Sequence, residues 1–193
     1  MLQDDVIDVQ ILKHQIAFIN SNVKHTGLIG GFGSGKSKAA TCKTIEKLEH
    51  FYRNKEKGLP NIDVAYYLPT YGLIKGVAFK NFKTTLREYG IPYHLKESDK
   101  EFITPFGKII MRSMDNPSMI VGYEVGYSLI DEADRLPKKK MKAAFVDIVA
   151  RNRTKLPNGE HNCLDMVSTP EGFNFLYEYF VAPIHIDCLR CQM

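Results

Sequence analysis

Two stretches of this 193-residue sequence carry residue types suited to phosphate chemistry. The first, Gly30-Gly31-Phe32-Gly33-Ser34-Gly35-Lys36-Ser37, has the G-x-x-x-x-G-K-[ST] spacing of a phosphate-binding loop. Its glycines let the backbone turn tightly and aim successive N–H groups at phosphate oxygens. A helix starting at Gly35 adds the positive end of its dipole to the same spot. Lys36 then reaches the β- and γ-phosphates, Ser37 offers a hydroxyl to Mg2+, and Lys38 completes the residues expected around ATP. The second stretch, Leu129-Ile130-Asp131-Glu132, is an apolar run ending in two adjacent carboxylates. Asp131 suits a metal ligand opposite Ser37, and Glu132 suits a group that orients the water attacking the γ-phosphate. An enzyme passing phosphate to a bound substrate has no need of that glutamate, so the pair points to hydrolysis. Lys36 and Glu132 are the expected catalytic residues.

Two further positions belong to the same chemistry. Ser168 and Thr169 precede Pro170. Their hydroxyls suit sensing of the lost γ-phosphate, through a phosphate-side water or the Glu132 carboxylate. An ordinary turn before proline is the plainer alternative. Gln15 stands fifteen residues before Gly30. Its amide both donates and accepts and suits an adenine edge, with a plain surface glutamine as the other reading.

Regular elements must bring these residues together. The pattern predicts a short amphipathic helix over His14 to Asn20, a strand end at Gly27-Leu28-Ile29 and a helix over Lys38 to Phe51. Val64 to Leu68 reads as a buried strand ended by Pro69. Leu73 to Tyr89 has helical spacing through Ile74, Val77, Phe79, Phe82 and Leu86, closing at Gly90. Phe102-Ile103-Thr104 and Lys108 to Met111 flank a Pro105-Phe106-Gly107 turn, a hairpin pattern. A strand at Tyr127 to Asp131, a basic helix over 137–151 and a strand at Cys163 to Val167 follow. Alternating strands and helices specify an α/β fold with a mostly parallel sheet. In such sheets ligands bind beyond the carboxyl ends of the strands, where all three polar clusters fall.

Composition sets outer limits. A chain 44% hydrophobic and 25% charged is that of a globular protein able to bury a core without metal or disulfide staples. No apolar run approaches the roughly 20 residues of a membrane helix, and the acidic Asp4, Asp5 and Asp8 argue against a signal peptide. A net charge of +4 permits contact with a polyanion. Lysines cluster at 138–140 and 142, and Arg151, Arg153 and Lys155 form a second cluster; either serves as a solvated face or a DNA contact. Cys188 and Cys191 have C-x-x-C spacing without a second Cys/His pair at zinc-finger distance, so no metal site is expected there.

Gly30–Ser37, Ile130-Asp131-Glu132-Ala133 and the Ser168-to-Tyr177 run (Ser-Thr-Pro-x-Gly-x-Asn-x-x-Tyr) together resemble the motifs of large terminase subunits, the DNA-packaging ATPases of tailed bacteriophages. The resemblance spans roughly residues 14 to 180. It implies a three-layer P-loop NTPase of the additional-strand, catalytic-glutamate type, with ATP and Mg2+ as cofactors. It also implies a homo-oligomeric ring that drives double-stranded DNA into a procapsid, working with a portal protein and a small terminase subunit in the host cytoplasm. Two departures stand out. The family often has an arginine four residues before the loop lysine, where this chain has Phe32. Arg112, Arg151 and Arg153 are the candidates for a substitute arginine finger, within the subunit or across a ring interface. The family also continues into a nuclease domain. Residues 1–183 read as the motor domain and 184–193 as a short tail without nuclease carboxylates. Two alternatives accompany this reading: a truncated, non-catalytic nucleotide-binding module, and a helicase-like nucleic-acid ATPase.

Overall fold

The computed structural model describes residues 11–116 and 120–182. The tail and the Cys188–Cys191 pair lie outside the described residues. A seven-stranded sheet in the order β1-β7-β6-β2-β5-β4-β3 forms the middle layer. Its strands are β1 (His25–Ile29), β2 (Val64–Leu68), β3 (His94–Lys96), β4 (Glu101–Thr104), β5 (Gly107–Ser113), β6 (Tyr127–Asp131) and β7 (Cys163–Ser168). Strands β1, β7, β6, β2 and β5 pair in parallel, and β4 and β3 extend that sheet by antiparallel pairing. The strand leading into the phosphate loop, β1, therefore does not pair with β6, the strand carrying Asp131. β7 is inserted between them, as the additional-strand arrangement requires.

Period-two alternation builds two cores. Val64, Tyr66 and Leu68 face one side with Phe18 and Ile19 of α1 (Lys13–Asn20), Ile45 and Leu48 of α2 (Lys36–Asn54), and Phe79, Phe82 and Leu86 of α4 (Phe79–Glu88). Ala65 and Tyr67 face the other, with Met141, Ala144 and Ile148 of α5 (Lys138–Arg151). The buried residues of α5 recur at intervals of three and four, the spacing of one helix face. This layering is the expected α/β sandwich of helix, sheet and helix.

The run from Leu73 to Tyr89 is not one regular helix. A short α3 (Tyr71–Leu73) passes into a π-turn over Ile74–Ala78 before α4 begins, and the Phe79 N–H donates to the Ile74 carbonyl. The extra residue in that turn lets Ile74 and Phe79, five apart, both face the core. Val77, which α-helical spacing places inward, is instead exposed. Strand β3 carries no strong apolar alternation and was not legible in the pattern. None of the described helices is long and apolar enough to cross a membrane.

Candidate active site

The loop from β1 to α2 turns through Gly33 and Gly35, at φ 73° and 76°. L-residues with a Cβ resist that region, and at Gly35 a Cβ would also lie 2.1 Å from the Gln15 amide nitrogen. Gln15 is buried against the loop. Its Nε2 donates to the Gly35 carbonyl at 2.9 Å, and its Oε1 accepts the Leu12 N–H at 2.8 Å. The structure thus gives Gln15 a bracing position rather than a surface one. Lys36 folds over the loop and donates to the Gly31 carbonyl at 2.7 Å. The Ser34 hydroxyl donates to the same carbonyl. The Lys38 amine points away, to Glu88 and Thr85 on α4. Phe32 projects from the loop, 90% exposed. Gly30 donates its N–H to the Ser168 carbonyl.

Asp131 ends β6 almost wholly buried. Its Oδ2 accepts the Tyr66 hydroxyl at 2.7 Å. The Ser37 hydroxyl lies beside the same carboxyl and favours its ionised form, yet Oδ1 has no hydrogen-bond partner among the described residues. Burial is the dominant influence and pushes the carboxyl up to about 6. A buried carboxylate oxygen without a donor, next to a hydroxyl at a helix start, is a donor set suited to a hard divalent cation.

Glu132 adopts φ 58°, ψ 43°, the left-handed region that a non-glycine residue occupies at a cost of about 1–2 kcal/mol. What holds it there comes from the end of β7 and the segment that follows. Ser168 is fully buried, and its hydroxyl accepts the Asp134 N–H at 3.1 Å and donates to the Thr169 carbonyl. The hydroxyl therefore grips the backbone after Glu132, not the Glu132 carboxylate. Thr169 Oγ1 is buried without a partner among the described residues. Asn174 Nδ2 donates to the Asp134 carbonyl at 2.7 Å, and the Leu176 N–H donates to Asp134 Oδ1 at 3.0 Å. Sequence reasoning missed Tyr66, which reads as a core aromatic, and Asp134, which reads as an ordinary acid near a helix start. Asn174 sat in the quoted motif without an assigned role.

The three arginines fare differently from the loop residues. Arg112 donates to the Asp99 and Met111 carbonyls and pairs with Glu101, so its guanidinium is committed to the β3–β4 side. Arg151 ends α5, where its carbonyl accepts the Val125 N–H just before β6 begins. Arg153 pairs with Glu124 at 2.6 Å. Both lie at the opposite end of β6 from Asp131. Five residues of strand span roughly 17 Å, which removes them from their own subunit's phosphate site.

No protein-family model matches the sequence, and no curated protein matches it. Solved structures do. The large terminase ATPase domain of Thermus phage P74-26 matches with a TM-score of 0.64 at 19% identity, covering 89% of this chain and 69% of that one. The large terminase of a thermophilic bacteriophage matches with a TM-score of 0.68 at 14% identity, over 86% of this chain and 41% of that one. That terminase has also been solved with ADP and with ATP-gamma-S. The N-terminal domain of the DNA packaging ATPase from bacteriophage phi29 matches with a TM-score of 0.59 at 14% identity, over 86% and 83% of the two chains. This chain thus spans less than half the length of the thermophilic phage protein. Its seven-stranded, mostly parallel sheet, with β7 between the phosphate-loop strand and the Asp131 strand, has the fold of phage large terminase ATPase domains.

Proposed function

We propose that this chain is an Mg2+-dependent ATPase, the motor domain of a machine that drives double-stranded DNA into a phage procapsid. The observation that carries the reading is the meeting of Ser37, Asp131 and Glu132 at one end of the sheet. There the Asp131 carboxyl is buried with one oxygen unpartnered, and Glu132 is held in a strained backbone conformation. Strain of this kind persists where surrounding structure over-determines it, a recurrent property of reacting centres.

The loop N–H groups and the start of α2 bind the phosphates, and Lys36 exchanges the Gly31 carbonyl for phosphate oxygen. Ser37 and Asp131 are the residues that would hold Mg2+, which when bound neutralises charge on the β- and γ-phosphates. Glu132 accepts a hydrogen bond from the attacking water and aligns it. Ser168, gripping the turn after Glu132, links the state of the site to the segment that follows. Gln15 sits close enough to the loop to take part in binding the nucleotide as well as bracing Gly35. Phe32 supplies no cation to the γ-phosphate, so an arginine reaches it from a neighbouring copy in a ring. Arg151 and Arg153 are available only in that way. The portal protein, the small terminase subunit and a host-cytoplasmic setting belong to the same reading, supported by likeness to packaging ATPases.

Phosphate release by the purified chain, measured with Mg2+ and ATP, tests the proposal. Lys36→Ala loses nucleotide binding, and Glu132→Gln keeps binding while turnover disappears. Unchanged turnover in Glu132→Gln removes its catalytic role. A chain that binds ATP and never releases phosphate is the non-catalytic module. Stimulation by single-stranded nucleic acid, and not by procapsid–portal complexes, identifies a helicase-like enzyme.

A further inference from the structure

Five cations fall within eight residues at the start of α5: Arg135, Lys138, Lys139, Lys140 and Lys142. The first turn of that helix holds no acidic residue. Cations at a helix N-terminus face the positive end of the dipole and repel one another, so they oppose the helix that carries them. Such a cluster is stabilised by anions brought to it from elsewhere.

One such anion is already present. The Glu178 carboxylate, on the turn Tyr177–Val181, pairs with Lys138 and with Lys142, the latter at 2.8 Å. The two lysines together hold the Glu178 carboxyl below its usual range. These pairs are open to solvent, with the Glu178 and Lys142 side chains 40% and 57% exposed. Lys139 and Lys140 are exposed and have no acidic partner among the described residues. Of the other basic groups weighed from the sequence, Arg112 is committed to Glu101 and Arg153 to Glu124.

We propose that the start of α5 is a binding surface for the phosphate backbone of duplex DNA, with Glu178 an internal competitor holding two of its lysines. The identity of the partner rests on the packaging-ATPase reading; the competition rests on the contacts themselves. Phosphates that reach Lys138 and Lys142 displace Glu178 and free the Tyr177–Val181 turn. That turn continues the segment whose Asn174 and Leu176 are bonded to Asp134, two residues from Glu132. DNA contact and the nucleotide site are thereby joined through one short run of chain.

Fluorescence anisotropy of labelled duplex DNA, titrated with protein at several salt concentrations, tests this. Binding falls with salt with a log–log slope of about −0.9 per phosphate engaged. Glu178→Gln frees two lysines and binds about 3- to 10-fold more tightly, with a slope steeper by about 1–2. Lys139→Glu/Lys140→Glu binds about tenfold or more weakly with a shallower slope, and the neutral Lys139→Gln/Lys140→Gln shifts the same way by less. Thermal melts of each variant identify any fold defect, and a gain in affinity cannot come from one. Unchanged affinity and slope in Glu178→Gln overturn the proposal, as do lysine variants that bind like the unmodified chain. Failure of the unmodified chain to bind DNA at low salt also overturns it. So does a Glu178→Gln variant that tightens on poly-glutamate and not on DNA, because the partner is then an acidic protein. ATP hydrolysis by the unmodified chain is measured separately. Its absence refutes the ATPase reading and leaves the DNA titration decisive for the surface.

Discussion

Asp134→Ala isolates the latch that holds Glu132 in place. The wild-type carboxylate accepts the buried Leu176 N–H at 3.0 Å, and Asp134 is only 2% exposed. Deleting the acceptor leaves that N–H unsatisfied, at about 1–3 kcal/mol. Unfolding in urea therefore shifts by a similar amount. The functional effect has a different origin. Glu132 at φ 58° costs about 1–2 kcal/mol relative to an ordinary backbone conformation, and the contacts around Asp134 oppose its relaxation. If the loosened turn relaxes, the reactive conformer becomes about 5- to 30-fold less populated, at tenfold per 1.36 kcal/mol.

Single-turnover hydrolysis of the purified chain therefore slows about 5- to 30-fold in Asp134→Ala. ATP affinity, set by the loop and Lys36, stays within about twofold of wild type. Asp134→Asn keeps a carbonyl oxygen for the Leu176 N–H and recovers most of the rate. Two results refute the reasoning. A rate equal to wild type in an Asp134→Ala protein that has lost stability makes the contact purely structural. Equal rate losses in Asp134→Asn and Asp134→Ala mean that the hydrogen bond is not what holds Glu132.

Other consequences follow from the same contacts. Lys43 and Asp165 form an ion pair of 2.6 Å, 1% and 0% exposed. Lys43→Met strands the carboxylate and lowers unfolding stability by about 3–5 kcal/mol in urea melts, and adding Asp165→Asn returns part of it. His25 packs on Phe145 and Tyr179, and burial, with Lys24, lowers its pKa below 6.5 against the opposing pull of the Leu164 carbonyl and Asp165. The unfolded chain then binds the proton more readily, so stability is lost as pH falls below about 6.5; His25→Phe removes that part of the pH dependence of the urea midpoint. Gly126→Ala places a Cβ 2.6 Å from Ile62 and 2.7 Å from Leu156, and costs about 1–3 kcal/mol of overpacking in the same melts.

What the sequence shows of this site is what local pattern encodes. Glycine spacing, an apolar run ending in Asp131-Glu132, and period-two strands are written in consecutive residues, and the structure places them at one end of the sheet. Contacts made across the sheet are not written that way. Tyr66 lies in an apolar strand and looks like core until β6 is known to lie beside β2. Lys43 sits mid-helix, where lysine is normally a surface residue. It is buried because α1, the sheet and α4 enclose α2. A hint was present in Asp165, the one charged residue of Cys163–Ser168, since a charge inside a buried strand demands a partner. Val77 was misplaced for a geometric reason: one inserted residue in a π-turn rotates every later position, and residue type alone gives no sign of it.

Ser168 deserves the closest test, because its two oxygens face the two halves of the site. Its carbonyl accepts the N–H of Gly30, the first glycine of the phosphate loop, and its hydroxyl accepts the N–H of Asp134 in the turn after Glu132. This double attachment is possible only because β7 lies between β1 and β6, with Ser168 in register with Ile29 and Val167 with Asp131. Ser168→Ala separates the halves: the carbonyl remains on Gly30, while the Asp134 N–H loses its acceptor at about 1–3 kcal/mol. Nucleotide affinity accordingly holds within about twofold while turnover drops, a split in which kcat falls and binding does not. Equal losses in both would mean that the hydroxyl supports the phosphate loop itself. In that case Ser168 is a packing residue of the sheet, and the coupling of the Glu132 turn to the phosphate must run through Thr169 or Asn174.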